Sequence, residues 1–226
     1  MYRNNIQWTL SGRMTPLVKA LILLNSFVFI IQMIFHKWIG IDLTTMFGLS
    51  PLDILSKGYL WQCVTYLFLH GHLMHLVFNM LVLWMLGGEI EERVFKAVGF
   101  LKYYFICGIG AAVFNVIISY QSDIPIIGSS GAIYGILAAY AIFFGNRRLI
   151  LFPFPVLIPA KYLIIMIGII ELVSSIFYTK DGIAHVAHLG GMVAGFLYIR
   201  YKIKGPPAWF RRKKKFVVIQ SKDYFT

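Results

Sequence analysis

The sequence predicts an all-α polytopic membrane protein, a bundle of six transmembrane helices with a long interfacial loop after the first helix. The 226-residue chain is 59% hydrophobic and only 13% charged, and its mean hydropathy is +0.74. Several apolar runs approach the roughly 20 residues that cross a hydrocarbon core about 30 Å thick. All but three of the 21 Lys and Arg residues also fall on one side of a six-helix arrangement, as expected for cytoplasmic segments.

The apolar runs set the bounds of the predicted helices. They lie at residues 17–35, 68–88, 98–120, 130–145, 156–177 and 183–203. The connection 36–67 mixes apolar and aromatic residues with glycine and proline. It is too broken to span the bilayer and too apolar to lie free in water, so we expect it at the membrane interface.

The distribution of basic residues orients the chain. With the N-terminus in the cytoplasm, only Lys37, Lys57 and Lys180 lie outside. We therefore expect a multi-pass protein of the cell membrane with both termini cytoplasmic. Residues 1–15 form an N-terminal segment, 16–204 a helical domain and 205–226 a basic tail. A basic segment directly after a span favours anionic membrane lipids as its partner, not nucleic acid.

Polar residues inside the predicted spans are functional candidates, because polar groups in hydrocarbon are costly. His75 and Asn79 lie four residues apart on one face of the second helix. His185 and His188 share a face of the sixth, and Ser130 opens the fourth. By topology these groups all lie in the outer half of the bilayer, so they can converge.

The fourth predicted helix is too short to reach the outer surface. Residues 131–145 extend roughly 22 Å at the helical rise, and Arg147 and Arg148 hold the inner end at the cytoplasmic surface. The helix should therefore begin within the hydrocarbon layer. Non-helical backbone at that depth needs protein or a water-filled cavity beside it, so we expect a hydrated pocket with Ser130 at its floor.

This pocket would hold the groups needed for hydrolysis. A serine hydroxyl needs a base within hydrogen-bond reach to act as a nucleophile, and His188 is the candidate base. The N-terminus of the fourth helix, with donors from His75 and Asn79, suits a developing oxyanion. The spacing of Gly131 with Gly135, and of Gly191 with Gly195, allows two helices to approach closely.

Acidic residues contribute little to this prediction. Glu171 alone lies well inside a predicted span, and no acid stands beside His188 in the sequence. The expectation is therefore a Ser–His dyad without a carboxylate. Glu171 would stabilise helix packing or a polar contact on the inner side.

Each candidate also has an ordinary structural interpretation. A buried serine often bonds to its own helix, Tyr134 would normally be a core residue, and His36, His70 and His72 suit an interface or a packing role.

A di-iron or other metal enzyme would use the histidines, but no carboxylate ligand is evident near them and Asn79 is a poor ligand. Cys63 and Cys107 give no metal or disulfide pattern. No metal and no cofactor is expected.

Three motifs resemble those of the rhomboid family of intramembrane serine proteases. GxSG fits residues 128–131, AHxxG fits 187–191 and HxxxxHxxxN fits 70–79. The resemblance implies Ser130 as the nucleophile, His188 as the base, and oxyanion stabilisation by His75 and Asn79. The residues it implies in supporting positions are Tyr134, Gly128, Gly131 and His70.

The resemblance also implies the substrate class, and the sequence differs from the family pattern at one position. Substrates would be transmembrane proteins, expected to have a single span, whose helix enters between the second and fifth helices. The reaction would pass through an acyl-enzyme, and water would release the acyl group. Where the family often has Trp-Arg before the second helix, Trp61 is here followed by Gln62. A catalytically inactive relative that binds membrane proteins is the remaining alternative.

Overall fold

A computed structural model describes residues 14–151, 156–177 and 184–202. The predicted basic tail 205–226, and the predicted N-terminal segment up to residue 13, lie outside these residues. Within them the chain is mostly helical. The helices are α1 (Pro16–Ile34), α2 (Thr44–Phe47), α3 (Pro51–Lys57), α4 (Gln62–Thr65), α5 (Leu73–Val82), α6 (Gly88–Ile90), α7 (Lys96–Ile118), α8 (Ser130–Phe144), α9 (Ala160–Phe177) and α10 (His185–Lys202).

The connection after α1 contains short helices where the sequence predicted a loop. A π-helical turn, Phe35–Ile39, extends α1, and α2, α3 and α4 follow before α5 begins. In α3, Pro51 occupies the first helical position, and the Ser50 side chain accepts a hydrogen bond from the Asp53 backbone N–H at 3.3 Å. Both features are typical of helix starts. The placement of this connection at the membrane interface stays a prediction.

The second and third predicted helices meet without a loop. From α5 the chain continues through π-helical stretches, Leu83–Gly87 and Glu91–Phe95, on either side of α6. It then turns at Lys96, whose φ of +58° is incompatible with a continuous right-handed helix. The predicted helix 68–88 is thus wrong at both ends. It begins only at Leu73 because the His72 ring nitrogen caps it, accepting from the His75 backbone N–H.

A short antiparallel hairpin corrects the all-α prediction. Strands β1 (Arg148–Leu151) and β2 (Val156–Pro159) pair with Arg148 opposite Pro159. Residues 156–159 were predicted as the first turn of the fifth helix, but α9 begins at Ala160. Proline at 159 and the β-branched residues before it favour an extended strand over a helical turn.

The most extensive packing joins α7, α8 and α10. Most side chains of α8 are buried, whereas α1 and α9 leave many large apolar side chains exposed. Exposed apolar surface on that scale fits lipid contact. Three helical stretches of the described residues are long and apolar enough to cross a membrane, at Pro16–Ile39, Leu73–Ile118 and Ala160–Phe177, the second of them interrupted by the turn at Lys96, and α8 is a shorter apolar helix. The count of six spans stays a prediction.

Candidate active site

Ser130 and His188 lie within hydrogen-bond distance of each other. Ser130 is the first residue of α8 and His188 belongs to the first turn of α10. The Ser130 Oγ is 2.8 Å from the His188 Nε2. A serine hydroxyl at this distance from an unprotonated imidazole nitrogen can transfer its proton to the ring.

Glycines bring these two helices together. A Cβ atom added at Gly191 of α10 would lie 1.9 Å from the Gly131 carbonyl oxygen of α8, and one added at Gly195 would lie 3.0 Å from the Gly135 Cα. The backbones therefore cross with no room for side chains. The close approach predicted from the two glycine spacings is confirmed, and it places the residue before Gly131 next to the start of α10.

The His188 ring is held against an aromatic ring of α8. Tyr134 lies one turn after Ser130, and its ring stacks on the His188 ring with a centroid separation of 4.2 Å and an interplanar angle of 6°. The stacked tyrosine ring keeps the His188 imidazole from tilting out of its plane. The Tyr134 hydroxyl donates a hydrogen bond to Glu171 Oε1.

Glu171 lies beside His188, so the prediction that no carboxylate accompanies this histidine is wrong. The Glu171 Oε2 is 3.1 Å from the His188 Nδ1 and 2.6 Å from the His185 Nδ1. The sequence does not reveal these contacts, because α9 and α10 bring residues 14 and 17 positions apart together only through tertiary packing. The one available signal was Glu171 itself, an acidic side chain within a predicted span.

The contacts of the Glu171 carboxylate differ in geometry. Glu171, His185 and His188 are all buried. The His185 Nδ1 makes a hydrogen bond to the carboxylate, and since an ionised carboxylate only accepts, the nitrogen donates. At His188 the distance is short, but within the described residues its Nδ1 has no partner in hydrogen-bond geometry. That contact is electrostatic in the resting structure.

His75 and Asn79 of α5 converge on the segment that precedes Ser130. Gly128 has φ +119°, a conformation that favours glycine. A Cβ added there would lie 2.7 Å from the His75 Nε2 and 3.6 Å from the Asn79 Nδ2. The Asn79 Nδ2 is buried, and the described residues offer it no hydrogen-bond partner. A donor left in this state beside the loop that precedes Ser130 could bond to an oxygen that gains negative charge during a reaction.

His70 supports the same segment from the connection before α5. Its backbone N–H donates to the Gln32 Oε1 at 2.9 Å, and its Nε2 is 3.5 Å from the Ser129 Oγ. Its ring makes an edge contact with His75, with centroids 5.1 Å apart. Burial, together with the neighbouring His75, lowers the pKa of His70 to about 4. A neutral ring in this position acts as a packing and hydrogen-bonding group.

The same groups include a set of metal donors. Within the described chain, Glu171, His185 and His188 offer ligand atoms that all lie within 4.8 Å of one another. Two imidazoles and a carboxylate are ligands that zinc and iron accept. The expectation that the histidines have no carboxylate ligand nearby is therefore wrong for His185 and His188.

Comparison with known proteins gives one family. The model of the rhomboid domain matches residues 57–205. Similar proteins include rhomboid protease GluP of Bacillus subtilis, 31% identical over 151 residues, and rhomboid protease GlpG of Serratia proteamaculans, 30% identical over 198 residues. Rhomboid protease AarA of Providencia stuartii is 29% identical over 203 residues.

The matches cover different shares of this chain and of each relative. The matched regions cover 66%, 84% and 80% of this chain, in the order given, and 27%, 63% and 70% of the relatives. The chain thus spans less than two thirds of the length of the first two relatives. The matched region contains every residue of the site described above from His70 to His188.

Proposed function

The chain belongs to the rhomboid family, and we propose that it is a serine endopeptidase that hydrolyses peptide bonds in or near the transmembrane segments of other membrane proteins. The observation that carries the proposal is the 2.8 Å contact between Ser130 Oγ and His188 Nε2. The relatives named as rhomboid proteases and the apolar helices that suit a membrane support it.

The reaction follows from the positions of these groups. The Ser130 Oγ attacks the carbonyl carbon while its proton passes to the His188 Nε2. The carbonyl oxygen becomes an oxyanion, for which the N-terminus of α8 and the side chains of His75 and Asn79 supply donors. When the C–N bond breaks, the Nε2 proton goes to the leaving amine and an acyl-enzyme remains. Water then hydrolyses the ester, which requires a hydrated pocket at Ser130.

The proposed substrates are single-span membrane proteins. Their helix would reach Ser130 laterally, between the helix that begins at Leu73 and α9, and unwind near the outer surface. The exposed apolar side chains of α9 support a lipid-facing position for that helix. Membrane lipids are the remaining partners, and both termini are assigned to the cytoplasm.

Cleavage by purified protein tests the proposal. We expect the wild-type chain, reconstituted in liposomes, to cleave a single-span substrate, whereas Ser130→Ala and His188→Ala lose activity by about 10³-fold or more, as when one member of a nucleophile–base pair is removed. Both variants should retain the thermal stability of folded protein to within a few degrees. Cleavage by Ser130→Ala at the wild-type rate would refute the assigned nucleophile.

A metal-dependent hydrolase is the second candidate, because Glu171, His185 and His188 form a possible ligand set. A metal there would occupy His188 and remove it as a base for Ser130. Activity that survives exhaustive chelation, in protein whose metal content is measured by mass spectrometry, supports the serine mechanism. Loss of activity with chelator and its return with zinc would support the metal enzyme instead.

A further inference from the structure

The group next to the Ser130–His188 pair is a buried carboxylate, and the proposed dyad chemistry gives it no role. Glu171 is 7% exposed and lies within α9, a mostly apolar helix in which Lys161 is the only other charged residue. Removing a carboxylate from water is costly unless other groups pair with it. Here the Tyr134 hydroxyl and the His185 Nδ1 both donate to it. The fold therefore stabilises a charge at the far side of the His188 ring from Ser130.

We propose that Glu171 is a positioning residue for the hydrolysis: its carboxylate selects the His188 tautomer that leaves Nε2 unprotonated, and it stabilises the imidazolium formed during the reaction. The proposal rests on the assignment of Ser130 and His188 as nucleophile and base. It extends the expected dyad to a triad, Ser130–His188–Glu171, with Tyr134 and His185 supporting the carboxylate.

The two ring nitrogens of His188 need different protonation states for the reaction. A neutral imidazole carries one proton, and His188 accepts the Ser130 proton only when Nδ1 holds its own. A negative oxygen 3.1 Å from Nδ1 favours that arrangement, because the opposite tautomer would set the Nδ1 lone pair against the carboxylate. In the resting structure the contact is not yet a directed hydrogen bond. Catalytic hydrogen bonds often shorten and align only in the substrate complex.

The carboxylate of Glu171 would also stabilise the positive charge that forms on His188 during the reaction. When the Ser130 Oγ bonds to the carbonyl carbon, its proton moves to Nε2 and His188 becomes a cation in a buried site. Glu171 keeps its negative charge throughout, so the cation forms beside an existing anion. The proton on Nε2 leaves with the amine, and the cycle repeats when water attacks the acyl-enzyme. A carboxylate plays this role in serine proteases of other folds.

The groups that support Glu171 are arranged for precision. Tyr134 contacts both partners: its ring stacks on His188 and its hydroxyl donates to the Glu171 Oε1. His185 lies one helical turn before His188 on the same face of α10. The planes of the two imidazole rings are nearly perpendicular, at 89°. Three helices, α8, α9 and α10, thus fix one carboxylate and one imidazole relative to each other. Such support is needed to hold catalytic groups in productive geometry.

Replacing Glu171 by Gln tests the proposal, since the amide keeps the size of the side chain and removes its charge. We expect Glu171→Gln to lower kcat by about 10² to 10⁴-fold, as for the carboxylate of other serine triads, and to change KM by less than about threefold. Glu171→Asp restores the charge with a shorter side chain, so its kcat should lie between those of Glu171→Gln and wild type. Ser130 labelling by a fluorophosphonate probe should follow the same order.

Glu91 offers a matched control. It is another buried carboxylate, and it accepts hydrogen bonds from the Thr15 hydroxyl and the Val18 backbone N–H, far from Ser130 in the chain. Glu91→Gln should keep the wild-type kcat. If Glu171→Gln yields no folded protein, the paired replacement Glu171→Met with His185→Leu takes its place with the same expectation, because replacing both members of a buried charged pair by apolar side chains of similar volume is often neutral for stability, whereas removing one member alone is not.

The outcomes separate the two proposals. Wild-type protein that cleaves in a Ser130- and His188-dependent way, with a Glu171→Gln kcat equal to wild type, overturns the role of Glu171 alone. A rise in KM with unchanged kcat, or Glu171→Asp no better than Glu171→Gln, also overturns it. Wild-type protein that neither cleaves nor labels at Ser130 overturns the proposed function instead.

Discussion

Asn79 carries a buried amide whose position suits the proposed reaction. Its amide nitrogen is buried without a hydrogen-bond partner among the described residues, a costly state for a polar group. It lies near Gly128, two residues before the proposed nucleophile. A donor that gains its partner only when the oxyanion forms stabilises the transition state more than the ground state.

Replacing Asn79 by Ala should therefore lower turnover by about 10²-fold with little change in KM, as for the loss of one oxyanion donor. Steady-state cleavage of a single-span substrate measures both constants. Asn25→Ala is the control, since that buried amide donates to the Leu21 carbonyl oxygen of its own helix at 2.7 Å. Complete loss of folded protein in Asn79→Ala would instead mark the side chain as structural.

At the residue scale, the sequence identified most members of the candidate site but not all of their relationships. Ser130, His188, His75 and Asn79 stood out because polar groups in apolar helices are rare and because their motifs have a specific spacing. The partnership of Glu171 with His185 and His188 could not be predicted, since it depends on the rotation of α9 against α10. A contact of this kind leaves no periodic signal in the chain.

At the scale of helices, the crossing of α8 and α10 sets the distance between the proposed nucleophile, Ser130, and the proposed base, His188. Ser130 precedes Gly131, and His188 lies three residues before Gly191, so the two glycines at the crossing point set the separation of both side chains. Glycine is required there because its neighbour is backbone, which cannot move aside as a flexible side chain can. The geometry of the site is thus a consequence of helix packing.

Gly191→Ala should separate the helices and lower both activity and stability. The new Cβ would meet the Gly131 carbonyl oxygen at 1.9 Å, and overpacking of this kind costs about 1 to 3 kcal/mol. We expect cleavage to fall by at least tenfold and thermal stability in detergent to drop.

Gly168→Ala on α9 provides the control. Its Cβ would lie 3.5 Å from the Met192 Cε, an ordinary contact, and alanine favours the helix. That variant should keep wild-type activity and stability. Equal behaviour of the two glycine variants would show that the tight crossing does not set the distance between Ser130 and His188.

Helix bounds show which signals in the sequence were sufficient. The predicted helix 130–145 agrees with α8, Ser130–Phe144, to one residue because glycines flank an uninterrupted apolar run. The turn at Lys96 falls within the predicted connection between residues 88 and 98, although the helical residues before it extend further than predicted. The hairpin at 148–159 was missed, because its residues are as apolar as those of a helix.

At the scale of the whole molecule, ion pairs lie at the end of the bundle opposite the proposed active site. Glu89 forms ion pairs with Arg93, at 3.2 Å, and with Arg147, at the end of the molecule where α8 terminates. The proposed active site lies at the opposite end of α8. If basic residues mark the cytoplasmic side, Ser130 faces the outer half of the bilayer.

Reaction with a membrane-impermeant maleimide in intact cells tests this orientation. In a chain with Cys63→Ser and Cys107→Ala, we expect Lys57→Cys to react in intact cells and Arg148→Cys to react only after lysis, because the first position is assigned outside and the second inside. Both residues are exposed in the structure, so accessibility to the reagent depends on the membrane. The reverse pattern would contradict the assigned orientation.

The proposed mechanism depends on Ser130 being a nucleophile activated within the membrane domain. Labelling of the purified, reconstituted chain with a fluorophosphonate, followed by mass spectrometry of the modified peptide, tests this most directly. The predicted result is a single adduct on Ser130 that is absent from Ser130→Ala and strongly reduced in His188→Ala. An adduct on another residue, or equal labelling of Ser130→Ala, would contradict it.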